Sequence, residues 1–172
     1  MTAPEREIAR DGSASIDGYR EFMSMFPTGV AVVTAIDRRG MPHGMTCTAL
    51  ASVTLCPPTL LVCLGATSGT LAAVRASGFF AVNLLHSGGR RTAELFGSAA
   101  PDRFQQVFWE ASPSTSVPLL ADITAIAECR VSQVHRAGDH HIVLGEVTST
   151  IRSQDIGPLT YGMRRFFEWS PA

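Results

Sequence analysis

Small hydroxyl and thiol side chains crowd the stretch GMTCTALASVTLCPPTLLVCL, which runs from Gly44 to Leu64. If the segment from Met45 to Leu55 is extended, its side chains alternate between two faces. One face then carries Thr46, Thr48, Leu50, Ser52 and Thr54. Such residues suit an edge strand that meets water. They also suit a ligand pocket, because short side chains leave room for a flat ring and hydroxyls can bind its heteroatoms. The composition of the stretch leaves both interpretations open.

A second polar stretch, GATSGTLAAV, follows the apolar run that ends at Leu64. Thr67, Ser68 or Thr70 can cap a helix whose first amides have no intrahelical partner. Those amides, the helix dipole and Gly69 favour a bound phosphate, although an ordinary capped helix would carry the same residues. The spacing is neither that of a P-loop nor that of a Rossmann glycine motif. A ring-sized polar strand beside a phosphate-ready helix indicates a flavin nucleotide.

The sequence motifs of several common enzyme classes are absent from this chain. The sequence has no Ser-His-Asp arrangement, no HExxH motif and no paired carboxylates, which argues against the common hydrolase classes. The four cysteines, Cys47, Cys56, Cys63 and Cys129, show no metal-like spacing and are predicted to be buried, reduced thiols. We therefore expect no metal site.

Charge and hydropathy exclude two kinds of partner. Fourteen Lys and Arg oppose fifteen Asp and Glu, for a formal net charge of -1, and the basic residues gather only in Arg-Arg pairs at 38–39, 90–91 and 164–165. This pattern predicts no nucleic-acid partner. No apolar run reaches the ~20 residues of a membrane span, and the N-terminal segment lacks an apolar signal region. We expect no membrane association and a cytoplasmic location.

Hydrophobic periodicity predicts the elements that hold these segments. Residues 1–15 are predicted to be a mobile tail, and residues 16–172 a single domain. Helices are expected over SIDGYREFMSMF, over SGTLAAVRASG and over Arg90 to Phe96. Strands are expected over 28–36, 45–55, 59–64, 79–85, 123–135 and 141–151, with turns at 37–40 and 136–139. The Pro- and Ser-rich segment 97–118 is predicted to be a long surface connection.

Most of these six strands are joined by hairpins, and a small barrel closes such a set on a single core. We therefore predict a mainly β fold, a six-stranded Greek-key β-barrel with a few added helices. A doubly wound parallel sheet is the alternative. It needs a helix after nearly every strand, whereas two of the connections here are turns.

Six blocks of the sequence resemble one known family. They are MFPTGVAVVTA, GMTCTALASVTLCPPTLLVCL, SGTLAAVRASGFFAVNLL, FGSAAPDRF, GDHHIVLGEV and PLTYGMRRF. In this order and spacing they resemble the flavin reductase family, the small component of two-component flavin-dependent monooxygenases, over roughly residues 16–167. The resemblance implies a homodimeric FMN-binding split β-barrel. It also implies reduction of free FAD or FMN by NADH or NADPH and delivery of the reduced flavin to a separate monooxygenase.

The resemblance also implies flavin contacts at individual positions. The isoalloxazine and ribityl contacts fall on Thr46, Cys47, Thr48, Ala49 and Leu50, with Ser52 and Val53 behind them. The phosphate contacts fall on Thr67, Ser68 and Gly69. Two further contacts fall on Ala99 and Ala100, where many relatives have a charged residue, so that only backbone groups would reach the flavin.

The pyridine nucleotide is implied to meet two other blocks. His140 in GDHH matches a histidine thought to meet the nicotinamide, and a closing strand over Tyr161, Gly162, Met163 and Arg164 would help to hold the nucleotide. Without the resemblance, an exposed turn residue is the simpler interpretation of His140, because it follows Gly138-Asp139. NADH is favoured over NADPH because the sequence shows no clear Arg cluster for a 2′-phosphate.

Other functions remain compatible with such a barrel. A tight flavin-binding oxidase of the pyridoxine phosphate oxidase type uses a similar fold, but it would carry more basic residues for a phosphorylated substrate. A non-catalytic flavin-binding or haem-binding module, or a structural barrel without a ligand, would share the fold as well.

Overall fold

The computed structural model describes residues 14–121, 123–152 and 157–169. Most of the predicted tail, residues 1–13, lies outside these ranges. Three α-helices occur where the periodicity predicts them: α1 (Ile16–Ser24), α2 (Gly69–Ser77) and α3 (Arg90–Gly97). The hydroxyl of Ser15 caps α1 and that of Ser68 caps α2. Gly78, with φ at 77°, ends α2 in the left-handed conformation that favours glycine. No described helix is long and apolar enough to cross a bilayer.

Strands make up about half of the described chain. In chain order they are β1 (Thr28–Gly29), β2 (Ala31–Ile36), β3 (Pro42–Cys47), β4 (Leu50–Leu55), β5 (Pro58–Gly65), β6 (Phe79–Leu84), β7 (Trp109–Ala111), β8 (Pro118–Leu120), β9 (Ala125–Ala137), β10 (His140–Arg152), β11 (Leu159–Gly162) and β12 (Arg165–Glu168). The main sheet has the order β3-β2-β6-β9-β10-β5-β4, and β1-β11-β12 and β7-β8 form two small sheets.

The main sheet has seven strands, so the predicted count of six is wrong, while the predicted mainly β class with a few helices is confirmed. Every neighbouring pair in this sheet is antiparallel, which agrees with hairpin connections and not with a doubly wound parallel sheet. The long β9–β10 hairpin forms as predicted, with Gly138 at φ 59° in its turn.

The extra strand arises because the predicted strand 45–55 is broken. β3 ends at Cys47 and β4 begins at Leu50, and these two strands form opposite edges of the seven-stranded sheet. The edges approach each other beside β5, where the amide of Cys63 donates to the carbonyl of Ala49 at 3.0 Å. The thiol of Cys47 lies 3.8 Å from the carbonyl oxygen of Cys63. The sheet therefore curls until its edges meet at residues 48 and 49, and one continuous hydroxyl face does not exist.

Two apolar cores lie on opposite faces of the curled sheet. Phe80, Val82 and Val143 belong to the core that α2 also covers. On the other face, Val32 and Leu85 pack with Phe96 of α3 and with residues of the small sheets. Alternation along β2 and β6 sends successive side chains to the two cores. The sheet is thus buried on both sides, and this fixes α2 and α3 beside its β3 edge.

The segment 97–118 is more ordered than predicted. It contains a 3-10 turn (Arg103–Gln105) and β7, which pairs with β8. Buried polar groups anchor this segment, because Ser112 and Thr115 donate to the carboxylate of buried Glu128 at 2.6 and 2.9 Å. A turn-rich composition does not reveal such long-range bonds. The prediction of a long surface connection was therefore wrong in part.

All four cysteines are free, and three of them are buried or half-buried. Cys56 is exposed, contrary to the prediction, because it lies in the turn between β4 and β5. Burial raises the pKa of the Cys129 thiol to about 12, and it also raises the pKa of Cys47.

Candidate functional site

Three adjoining cavities form one groove along the β3 and β4 edges of the sheet. Their volumes are about 510 Å³ for the first cavity, about 610 Å³ for the second and about 310 Å³ for the third. The first and second cavities share the walls Thr48, Tyr161 and Arg164. The second and third share Thr46, Gly97 and Ser98. A ligand of nucleotide size can therefore extend from one cavity into the next.

The first cavity lies where the edges of the sheet meet. Its floor consists of the segment Thr48 to Ala51 with Leu61 and Cys63 of β5, and α1 forms one wall through Tyr19 and Met23. The hydroxyl of Thr48 makes no hydrogen bond to any residue that the structure describes. Small side chains and a free hydroxyl fit the requirements of a flat heteroaromatic ring.

The second cavity is lined by charged groups from two parts of the chain. Arg90 and Glu94 come from α3, and Arg164 and Arg165 come from the connection between β11 and β12. The Nε of Arg90 donates to the Glu94 carboxylate at 2.7 Å. Three guanidinium groups therefore face one carboxylate, and the cavity has an excess of positive charge.

The third cavity lies at the start of α2. Ser68, Gly69 and Thr70 line it, and the Ser68 hydroxyl accepts a bond from the amide of Leu71 at 3.1 Å. Sequence reasoning missed the cation in this cavity, Arg103, whose guanidinium also donates to the carbonyls of Phe96 and Ser98 at 3.3 Å. Arg103 belongs to the FGSAAPDRF block, so the block itself was a usable signal.

A histidine, His43, also lines the third cavity. Its Nε2 lies 3.2 Å from a carboxylate oxygen of Asp37. Hydrogen bonds from the amide of Met41 and from His43 lower the pKa of Asp37. A helix N-terminus with Arg103 and His43 beside it offers several donors to an anion.

The structure brings about half of the predicted site residues together in this groove. Those that line it are Thr46, Thr48, Ala49, Leu50, Ser68, Gly69, Tyr161 and Arg164. Those that do not line it are Cys47, Ser52, Val53, Thr67, Ala99, Ala100, His140, Gly162 and Met163.

The structure explains why most of these residues do not line the groove. The Cys47 side chain is buried in the core, and Ser52 and Val53 are exposed on the edge strand β4. Thr67 and Ala99 are exposed in the loops before α2 and after α3. Thr46 lines the groove with part of its surface, although its hydroxyl donates to the Ala93 carbonyl at 2.6 Å.

The predicted closing strand at 161–164 is a hairpin. Tyr161 and Gly162 end β11, and Met163 and Arg164 form its turn with φ at 46° and 58°. Gly162 is buried, and a Cβ there would come within 3.3 Å of Pro27. A strand ending in this turn places Arg164 at the junction of the first and second cavities.

His140 stands at the start of β10, opposite Gly65. Its Nδ1 lies 2.8 Å from the Asp139 carboxylate, and the side chain is half exposed. The carbonyl of Asp139 accepts a bond from the amide of Ala66 at 2.9 Å, which ties this turn to the loop that leads into α2. His140 is therefore tied to the loop before α2 and lines none of the three cavities.

Comparison with known proteins identifies one family. Residues 23–170 match the model of the flavin reductase like domain. The chain is 60% identical over 154 residues to a flavin reductase (NADPH) of Lentzea aerocolonigenes, a match that covers 89% of both chains. It is 35% identical to the reductase subunit HsaB of a flavin-dependent monooxygenase of Rhodococcus jostii, covering 90% of this chain and 81% of that protein.

A solved structure has the same fold. The NADH:FAD oxidoreductase SgcE6 of Streptomyces globisporus C-1027, in complex with NAD and FAD fragments, superposes with a TM-score of 0.84 at 33% identity, covering 90% of this chain and 93% of that one. All twelve strands, α2 and α3 lie within residues 23–170 of the family match, whereas most of α1 precedes them. The chain therefore belongs to the flavin reductase family.

Proposed function

We propose that this chain is an NAD(P)H-dependent flavin reductase that reduces free FAD or FMN and supplies the reduced flavin to a separate flavin-dependent monooxygenase. One observation carries the proposal: a single groove joins a ring-sized, hydroxyl-bearing cavity to a cationic cavity at a helix N-terminus. The names of the relatives support it, since they include a flavin reductase and the reductase subunit of a monooxygenase.

The first cavity is the proposed place of the isoalloxazine ring. Thr48, Ala49 and Leu50 line it, and the Thr48 hydroxyl and the backbone of this segment can bind the ring heteroatoms. Cys47 would act only through its backbone, because its side chain is buried in the core. The exposed Ser52 and Val53 lie too far along β4 to line the cavity, so we place them outside the contact set.

The third cavity is the proposed place of the flavin phosphate. The ribityl chain would pass Thr46, which lines both the second and the third cavity. The phosphate would then meet the start of α2 at Ser68 and Gly69, with Arg103 beside it. Thr67, Ala99 and Ala100 border this region in the loops and would contribute at most backbone contacts.

A bound flavin would supply the redox chemistry, as the acceptor of a hydride from the nicotinamide. The chain's part is to hold the two rings together and to place neutral donors such as the Thr48 hydroxyl where negative charge grows on the flavin. No nucleophile and no strong base is needed for these tasks. This agrees with a first cavity in which Arg20 and Arg164 are the only charged residues among the described wall residues.

The pyridine nucleotide is proposed to enter from the side of Tyr161 and Arg164, which line the first two cavities. His140 is proposed to contact the nicotinamide half of this substrate. The resemblance to the family supports this proposal, and the ring is half exposed, with Nδ1 2.8 Å from the Asp139 carboxylate and Nε2 without a hydrogen bond to any described residue. Gly162 and Met163 would serve by shaping the turn that presents Arg164.

A homodimer is the proposed assembly. The helix α1 buries none of its residues within the chain, although it carries Ile16, Tyr19 and Phe22, each more than half exposed. Leu55 at the end of the edge strand β4 is 81% exposed. Such an apolar surface indicates a partner, and covering α1 would also enclose the first cavity. Sedimentation equilibrium at micromolar concentration should give twice the chain mass, and a monomer would contradict this assembly.

Binding and labelling experiments test the proposed site. The fluorescence of FAD, FMN and riboflavin should be quenched when each binds. Riboflavin should bind more weakly than FAD and FMN, because it lacks the phosphate that Arg103 and α2 would hold. Bound FAD should slow the reaction of Cys63, which lines the first cavity, with a thiol reagent. It should leave the exposed Cys56 unprotected. Equal affinities for the three flavins, or unchanged labelling of Cys63, would contradict the placement.

A further inference from the structure

We propose that Arg90, Arg164 and Arg165 form a binding site for the 2′-phosphate of NADPH, so that the enzyme selects NADPH over NADH. This inference rests on the proposed function, since it assigns the nicotinamide substrate of the same groove. The sequence alone favours NADH instead, because Arg90 is more than 70 residues from the Arg164-Arg165 pair and no Arg cluster is visible along the chain. The fold places all three guanidinium-bearing residues around the second cavity.

Aromatic rings of β12 help to hold the arginines in place. The guanidinium carbon of Arg90 lies 5.9 Å from the ring centroid of Phe166, and that of Arg165 lies 4.7 Å from the ring centroid of Phe167. The left-handed turn at Met163 and Arg164 sets the start of β12 beside α3. Stacking restricts long side chains and lowers the entropy lost when they bind a phosphate.

The charge of the second cavity matches a phosphate group. Its ionised side chains are the three arginines and Glu94, so three positive charges and one negative charge give a net +2. The Nε of Arg90 bonds to Glu94, which leaves its terminal nitrogens for another acceptor. Neither Arg164 nor Arg165 forms an ion pair with a carboxylate in the part of the chain that the structure describes. NADH has a hydroxyl where NADPH has the phosphate, and it would leave these charges unmatched.

The position of the cavity also suits the adenosine half of a pyridine nucleotide. Thr48, Tyr161 and Arg164 separate it from the first cavity, in which the flavin ring is proposed to lie. The flavin phosphate has a different proposed place, the third cavity with Arg103. The phosphates of the two substrates are thus assigned to different cations, while the ribityl chain of the flavin would pass the Thr46 wall of the second cavity.

Steady-state kinetics with both nucleotides test the proposal. The wild-type enzyme should show a higher kcat/KM with NADPH than with NADH at saturating FAD. Arg90→Gln and Arg165→Gln should each raise the KM for NADPH by about fivefold to tenfold, since each removes one exposed, charge-assisted contact to the phosphate. The KM for NADH should change less than about twofold, because NADH lacks that phosphate. Arg91→Gln is the matched control: Arg91 neighbours Arg90 on α3 but does not line the second cavity.

A binding measurement that needs no turnover separates failure of this inference from failure of the proposed function. By calorimetry, 2′-phospho-AMP should bind the wild-type protein more tightly than AMP does, and the double variant Arg90→Gln/Arg165→Gln, which keeps Arg164, should lose most of this difference. Thermal unfolding of each variant would show that the exposed substitutions leave the fold intact.

Three outcomes would overturn the proposal. They are a wild-type preference for NADH, an equal rise in KM for both nucleotides, and a rise in the KM for FAD with no change in nucleotide selectivity. The last result would assign the arginines to the flavin phosphate. If neither nucleotide reduces flavin while 2′-phospho-AMP still binds as expected, the proposed function fails and the phosphate site stands.

Discussion

Thr48 lies at the junction of the first and second cavities, and its free hydroxyl faces the proposed position of the flavin ring. Two substitutions separate its two contributions. Thr48→Val keeps the shape of the side chain and removes the hydroxyl. Thr48→Leu removes the hydroxyl and also fills part of the cavity. Ser52→Leu is the matched control, because Ser52 lies two residues into β4, is exposed and lines none of the three cavities.

The expected losses differ in size. One lost hydrogen bond costs about 0.5 to 1.5 kcal/mol, so Thr48→Val should weaken flavin binding by about 2- to 13-fold. Filling the cavity adds an overpacking cost of about 1 to 3 kcal/mol, so Thr48→Leu should weaken it by at least about tenfold. Folding should change little, because Thr48 is only half-buried and lies between β3 and β4 instead of within a core.

Fluorescence titration of FAD and FMN gives the dissociation constants, and thermal unfolding of the same samples checks the fold. The wild type and Ser52→Leu should bind flavin equally tightly. Thr48→Val should bind it more weakly than these two, and Thr48→Leu should bind it most weakly. If Ser52→Leu weakens flavin binding as much as Thr48→Leu does, the ring lies along β4 and not at the junction of the sheet edges. If Thr48→Leu binds flavin like the wild type, the first cavity is not the ring site.

Three further predictions concern other parts of the chain. His140→Ala should raise the KM for the nicotinamide nucleotide by about 2- to 13-fold and leave the flavin dissociation constant unchanged, whereas His135→Ala on the same hairpin should change neither. Gly145→Ala should lower the free energy of unfolding by about 1 to 3 kcal/mol in urea denaturation, because a Cβ there would lie 2.8 Å from that of Cys129 and closer still to the Phe80 ring. Cys129 should be the slowest of the four cysteines to react with a thiol reagent at pH 8, because burial raises its pKa to about 12 and leaves almost no thiolate. Mass spectrometry of the labelled protein measures this rate, and fast labelling of Cys129 would contradict its burial.

Local signals in the sequence predicted the elements well. Ser68 and Gly78 mark the two ends of α2, and the apolar spacing of SIDGYREFMSMF marks α1. Caps and periodicity depend on residues only a few positions apart, so they can be recognised without knowledge of the fold. The same holds for the β9–β10 hairpin, whose turn contains Gly138.

Features that depend on distant residues could not be predicted in this way. The break at residues 48–49 arises because β3 and β4 pair at opposite edges of one sheet, and no local propensity distinguishes this from a continuous strand. The positions of Arg103 in the third cavity and of Arg90 and Arg164 in the second arise because the sheet brings distant loops and helices together. Exposure of Ser52 follows from the edge position of β4 and not from its residue type. The resemblance to a family indicated the candidate site by block, and only the fold distinguished which side chains line the groove.

The proposed function is tested most directly by anaerobic reduction of excess flavin. The purified chain, at a small fraction of the FAD concentration, is mixed with NADPH or NADH while the flavin and nicotinamide absorbance bands are followed, and the mixture is then passed through an ultrafilter that retains the protein. We predict loss of both bands in equal amounts over many turnovers, faster with NADPH, with the reduced flavin in the filtrate. Reduction that stops at one flavin per chain, with the reduced flavin retained on the protein, would contradict a reductase that supplies free reduced flavin to a partner.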